Sequence, residues 1–194
     1  KVRLLIDPTS SYAQAAASAM GRAMDDVLIS AALGTAYTGE TGSTSTANAN
    51  SIAAGGTGLT LDKLKEAKKK FDLGDVDPSI KRYMIVSPKQ IEDLLGSTNV
   101  TSIDYNTVRA LVQGDVSQFM GFEFIVSNRL SKAGNDRSCI AYAEDGLLLG
   151  VGKDVSARID ERADKSYATQ VYYCMSIGAT RMEEAKVCEV ICQE

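Results

Sequence analysis

The chain has 194 residues, a net charge of −4 and no histidine. Its length suits one domain or two small, closely joined ones, and 44% hydrophobic with 24% charged residues is an ordinary globular balance. The acidic excess excludes a protein that holds nucleic acid mainly by charge, no apolar run nears the roughly 18 residues of a membrane-spanning helix, and no secretory signal pattern is present.

The chain starts on Lys1, and Val2-Arg3-Leu4-Leu5-Ile6 reads as the interior of an element, so an N-terminal segment is expected to have been removed. Residues 9–33 are predicted as one long helix. Tyr12, Ala16, Met20, Ala23, Val27 and Ala31 recur every three or four positions, Thr9 or Ser10 can cap the start, and Gly34 is a natural stop. About 25 helical residues make a rod of roughly 37 Å, too long for a small domain to bury alone. From Gly34 to Gly58 the sequence is small and polar, which predicts a loop or hairpin, either a disordered surface or a flap that meets a neighbouring subunit.

Thr60 is placed to cap a second helix. Leu61, Leu64, Ala67 and Phe71 form its apolar stripe, and Lys63, Lys65, Lys68, Lys69 and Lys70 are expected on a solvated face. Asp75 to Pro78 reads as a turn. Tyr83-Met84-Ile85-Val86 is a buried strand that runs straight into Ser87-Pro88-Lys89-Gln90, a capping-box start for a helix reaching about Leu95. Another helix is predicted from Asp104 or Asn106 through Val108, Leu111 and Val112 to Gly114, then a strand over 121–126, a turn near Gly134-Asn135-Asp136, and a strand over Cys139–Ala143. Leu147-Leu148-Leu149 is a further apolar segment of either kind. The last third is strand-rich: Val155, Ala157 and Ile159 alternate with polar residues, and Tyr167, Thr169, Val171, Tyr173, Met175 and Ile177 alternate over eleven positions. Val187 to Cys192 is apolar on both faces, as in a strand covered on both sides.

No grouping points to catalysis, and no catalytic, cofactor or metal residue is assigned. Without histidine, Ser-His and Cys-His nucleophile pairs cannot form and the commonest metal ligand is missing. The four cysteines, Cys139, Cys174, Cys188 and Cys192, contain no C-x-x-C pair and read as free thiols. Gly55-Gly56-Thr57-Gly58 lacks the Gly-Lys-Ser/Thr of a phosphate loop. The acid pairs Asp25-Asp26 and Glu183-Glu184 are sequence neighbours; within a helix such neighbours diverge, so Asp25-Asp26 is no dyad. Asp160, Glu161, Arg162 and Asp164 mix signs, as surface or interface ion pairs do.

Taken in this order, the elements resemble the major capsid proteins of tailed bacteriophages, the HK97-like coat fold. The resemblance rests on the long helix from Ser10 to Leu33, on Lys81-Arg82-Tyr83-Met84-Ile85-Val86-Ser87-Pro88, and on Gly121-Phe122-Glu123-Phe124-Ile125-Val126-Ser127-Asn128-Arg129-Leu130. It rests also on the 154–165 stretch and on Ile177-Gly178-Ala179-Thr180-Arg181 followed by a terminal strand. It implies an α+β fold with a long spine helix, a peripheral domain of long strands and an axial domain whose central sheet is flanked by helices. The expected divisions are 1–78 (peripheral: spine helix, loop and second helix), 79–150 (axial) and 151–194 (return strands and a terminal strand). The family's N-terminal arm and extended loop have no counterpart ahead of the helix.

The resemblance implies a structural, non-enzymatic role: an icosahedral shell subunit that forms hexamers and pentamers around double-stranded DNA. Copies of itself, a scaffolding protein and a portal are the implied partners, with non-specific DNA contact, no membrane and no cofactor. The implied location is the virion capsid, with the host cytoplasm during assembly. A bacterial nanocompartment shell is the alternative within the fold. A soluble α+β enzyme would need a deep pocket lined by Asp160, Glu161 and Arg162, and a binding module would use the 34–58 loop.

Overall fold

The computed structural model describes residues 8–96 and 118–194. The expected element at Val2–Ile6 and the helix expected over 104–114 lie outside the described residues. The elements are α1 (Pro8–Leu33), β1 (Ala36–Thr38), β2 (Thr44–Thr46), β3 (Ser51–Ile52), α2 (Leu61–Leu73), β4 (Arg82–Val86), α3 (Pro88–Leu95), β5 (Gln118–Phe119), β6 (Phe122–Val126), β7 (Lys132–Ala133), β8 (Asp136–Ala143), β9 (Leu147–Arg162), β10 (Ala168–Arg181) and β11 (Val187–Gln193). The chain divides into two compact units, Ile29–Leu148 with Thr180–Glu194, and Lys1–Leu28 with Leu149–Ala179.

The first of these units is built on a seven-stranded sheet in the order β3-β11-β8-β4-β6-β5, with β7 on β8. β4 runs parallel to β6 and antiparallel to β8, while β11 runs antiparallel to β8 and parallel to β3. In β8, Cys139, Ile140 and Ala141 are all fully buried, so side chains on both faces of the strand leave water. Val187, Cys188, Val190 and Cys192 do the same in β11, matching the expectation of a doubly covered strand. The core includes Leu64, Phe71, Met84, Leu94 and Phe122. Phe71 and Phe122 meet at 5.9 Å between ring centroids, and the Arg82 guanidinium lies 5.5 Å from the Phe71 ring while bonding Asp72 at 2.9 Å.

Local chemistry explains the helix starts. Thr60 Oγ1 accepts from Lys63 N at 3.4 Å at the head of α2. Ser87 and Gln90 form the capping box at α3, with Pro88 in its first turn. Gly34 N bonds Ser30 O at 2.8 Å where α1 stops. The 34–58 stretch is more ordered than a loop. β1 and β2 form a hairpin, and β3 joins the sheet through Asn50, whose carbonyl accepts from Glu189 N at 2.9 Å.

The sheet unit takes in β1 to β3 and α2 from the 1–78 stretch, and β11 from the 151–194 stretch. The reason is pairing: β3 and β8 flank β11, and Lys70 on α2 bonds Ser51 O of β3 at 2.6 Å.

The other unit contains most of α1 and a long ribbon. α1 has 26 residues, about 39 Å of helix. Ala13, Ala16, Met20, Ala23 and Val27 form its half-buried stripe at helical spacing. β9 and β10, of 16 and 14 residues, pair with each other in a two-stranded sheet. Leu147-Leu148-Leu149 opens β9. The strands are joined by a 3-10 turn, after which Ser166 and Tyr167 adopt left-handed backbone with φ of 56° and 58°.

Candidate assembly surfaces

Most of β9 and about half of β10 are exposed along the ribbon. Val151, Val155 and Ile159 on β9, Tyr172 on β10 and Tyr167 after the turn all expose large apolar groups. A two-stranded ribbon is marginal in water by itself, and among the described residues no further strand pairs with either outer edge of this one. Such a surface gains stability when another chain covers it.

On the ribbon's polar residues the mixed-charge cluster does not converge. Arg162 pairs with Asp164 at the turn. Asp160 lines an open depression of about 420 Å³ with Lys153, Ser156, Arg158, Gln170 and Tyr172. Neither Glu161 nor Arg162 lines it, so the deep pocket that an enzyme reading requires is not formed by these residues. Among the described residues, no group of three or more acidic or thiol side chains could hold a metal ion, and no helix is long and apolar enough to cross a membrane.

The cysteines fall into two environments. Cys139 on β8 and Cys192 on β11 are buried neighbours on the same face, because Cys192 pairs with Arg137 and Cys139 stands two residues further along β8. The contact with Cys192, together with burial, pushes the Cys139 thiol far up. Burial likewise raises Cys188 to about 11. Only the strand register brings Cys139 into place beside Cys192. Cys174 differs. Ser156 Oγ lies 3.3 Å from its sulfur and Lys153 Nζ 3.1 Å, and these contacts lower its pKa to about 7. Iodoacetamide labelling should therefore reach Cys174 first, with a rate that rises through pH 7, while Cys139 and Cys188 stay unlabelled in the native protein. Lys153→Met should move that midpoint upward; peptide mapping of alkylated sites reads both.

The glycine-rich loop and one lysine of the cluster, Lys63, form one device. Lys63 is not solvated: it is 7% exposed, and its ammonium donates to the carbonyls of Ala54 (2.7 Å), Thr57 (2.7 Å), Gly58 (3.0 Å) and Ile191 (2.9 Å). A phosphate cradle turns N–H groups inward; this loop turns oxygens inward around a cation. Gly58 also packs so tightly against Asp93 that a Cβ there would lie 2.0 Å from its Oδ2. Of the other lysines, Lys65 pairs with Asp62, and Lys68 and Lys69 are exposed as expected.

Glu183 and Glu184 likewise separate, Glu183 to Lys186 and Glu184 to the buried Arg181. Glu194 is held by Arg137 through two bonds of 3.1 and 2.8 Å, by Lys132 at 3.0 Å and by the Ser87 hydroxyl. Arg137 foremost keeps its carboxyl well below the usual range. A depressed folded-state pKa contributes stability above the unfolded value of 4.5 and loses it as pH falls below that. Glu194→Gln should thus lower stability to urea at pH 7, and its deficit against the native chain should shrink at pH 3.

A family model described as phage capsid protein matches residues 1–194. No curated protein matches the chain. Among solved structures, a chain from Mycobacterium phage Che8 matches with 18% identity and a TM-score of 0.63, over 94% of this chain and 62% of that one. The capsid of cyanophage P-SCSP1u matches with 16% identity and a TM-score of 0.70, over 98% and 68%. The SrpI encapsulin complex from Synechococcus elongatus PCC 7942 matches with 11% identity and a TM-score of 0.62, over 97% and 67%. The chain thus spans between three fifths and seven tenths of the length of these structures. Its spine helix, seven-stranded sheet and long ribbon are the parts of the HK97-like coat fold, and with its whole length matched by the family model, this chain belongs to the phage capsid protein family.

Proposed function

We propose that the chain is a structural subunit of an icosahedral phage shell, built from hexamers and pentamers around double-stranded DNA, and that it catalyses no reaction. The observation that carries this reading is the β9–β10 ribbon, long, two-stranded and apolar on exposed positions, which is stabilised when a neighbouring copy covers it. Closed symmetry then multiplies each modest contact. In this reading the sheet unit is the axial domain and the helix-and-ribbon unit the peripheral one. A scaffolding protein and a portal are its assembly partners, DNA touches it non-specifically, and it passes from host cytoplasm to virion. An acidic subunit suits enclosure, because it does not bind the packaged DNA tightly.

The test is electron microscopy of particles from the full-length gene. Closed shells or ring-shaped capsomers support the reading, and a stable monomer at high concentration sinks it. The encapsulin likeness, at 11% identity, is one of fold alone, and a nanocompartment shell is the minor reading within that fold. Purified shells that enclose an enzyme cargo and no DNA would select it.

A further inference from the structure

The exposed face of α2 borders an open groove. Lys65, Lys68, Lys69 and Asp72 line an open groove with Leu73 and Met120 at its apolar part. Leu73 is 73% exposed at the end of the helix. Met120 sits beside it at the tip of the β5–β6 hairpin, with φ of 53°, followed by Gly121 with φ of 84°. A two-residue turn with both φ positive favours Asn-Gly, and a methionine in the first position carries backbone strain. The strained position therefore presents a flexible apolar side chain to the groove rather than the residue that the turn prefers.

We propose that this groove binds an acidic amphipathic helix of a partner protein, with apolar side chains on Leu73 and Met120 and carboxylates facing Lys65, Lys68 and Lys69. The argument is charge complementarity around an apolar floor. Lys68 and Lys69 form no ion pair among the described residues, in a chain that is acidic as a whole. Duplex DNA fits less well, because phosphates offer nothing to Leu73 and Met120; Asp72, the one acid that lines the groove, is held by Arg82 at 2.9 Å. α2 is 13 residues long, about 20 Å, which matches a partner helix of about four turns.

The test uses the 194-residue chain and a fluorescent synthetic helix of about 14 residues, with leucines on one face flanked by glutamates. Anisotropy should show saturable binding, weakened at least about tenfold by Lys68→Glu with Lys69→Glu and comparably by Leu73→Asp. All three residues are exposed, so circular dichroism should be unchanged in these variants. A scrambled peptide of equal charge should bind at least several-fold more weakly. Equal binding of the scrambled peptide, tighter binding of a short DNA duplex, or no binding at all would each overturn the proposal. So would hydroxyl-radical footprinting that finds Leu73 and Met120 already protected in the free chain, or self-association that is lost in the same variants.

Discussion

Arg181→Met should lower the unfolding free energy by about 3–5 kcal/mol, the order found when one member of a buried ionic cluster is removed. Arg181 is 4% exposed. Its guanidinium donates to Ala32 O at 2.9 Å, Gly34 O at 2.7 Å and Thr46 O at 3.1 Å, and to Glu184 at 2.8 Å. The first two acceptors are at the C-terminal end of α1, where no basic residue of the helix itself stands in the last turn. A cation brought from β10 thus satisfies the orphan carbonyls and the negative end of the helix dipole. Methionine keeps most of the volume, so the loss reports the polar network and not a cavity. Arg181→Lys should fall between, because a single ammonium cannot reproduce the planar fork. Urea unfolding at pH 7 measures all three proteins; a loss under about 1 kcal/mol for Arg181→Met, the size of one ordinary hydrogen bond, would show that the network is expendable.

Lys63→Met should cost about 2–3 kcal/mol, somewhat less than Arg181→Met. The variant leaves four inward-facing carbonyls with fewer donors, at about 1–3 kcal/mol for a fully orphaned group. Two effects reduce this: removing a buried cation also removes its desolvation cost, and the loop at Ala54–Gly58 can open to water. Because Ile191 O comes from β11 and the other three acceptors from the loop, the ammonium fastens the loop to an interior strand. The expected signature is therefore local as well as global. Limited proteolysis should cut within 54–58 in the variant and not in the native chain, and urea unfolding should show the smaller overall loss. Unchanged resistance at the loop would overturn this assignment.

These two cations mark where the sequence reading stopped. The periodicity of α2 placed Leu64, Ala67 and Phe71 in the core correctly, yet it counted Lys63 with the solvated lysines. Composition offers no signal that one lysine of five is buried, since its acceptors are backbone carbonyls that every residue carries. Gly55-Gly56-Thr57-Gly58 beside a downstream lysine is the only local hint. The Arg181 network is less legible still, because its carbonyl acceptors lie 149, 147 and 135 positions away. The exclusion of Ser-His and Cys-His pairs, by contrast, was readable from composition, because missing histidines cannot be supplied by folding. The groove beside α2 was half legible: the lysines stand out in the sequence, but only folding brings Met120 to line it with Leu73.

What the sequence determined by itself is local. The Thr60 cap, the Ser87–Gln90 capping box, the α1 repeat ending at Gly34 and the alternation through β9 and β10 each depend on residues within a few positions of one another, and each element forms where those patterns place it. Tertiary structure decided what those elements join. It placed β11 between β3 and β8, moved α2 to the sheet unit, set Cys139 beside Cys192, and enclosed Lys63 and Arg181 in carbonyl oxygens. The physical reason is that helix and strand signals arise from near neighbours along the chain. Strand pairing and the burial of a cation depend instead on which distant backbone groups need a partner once water is gone.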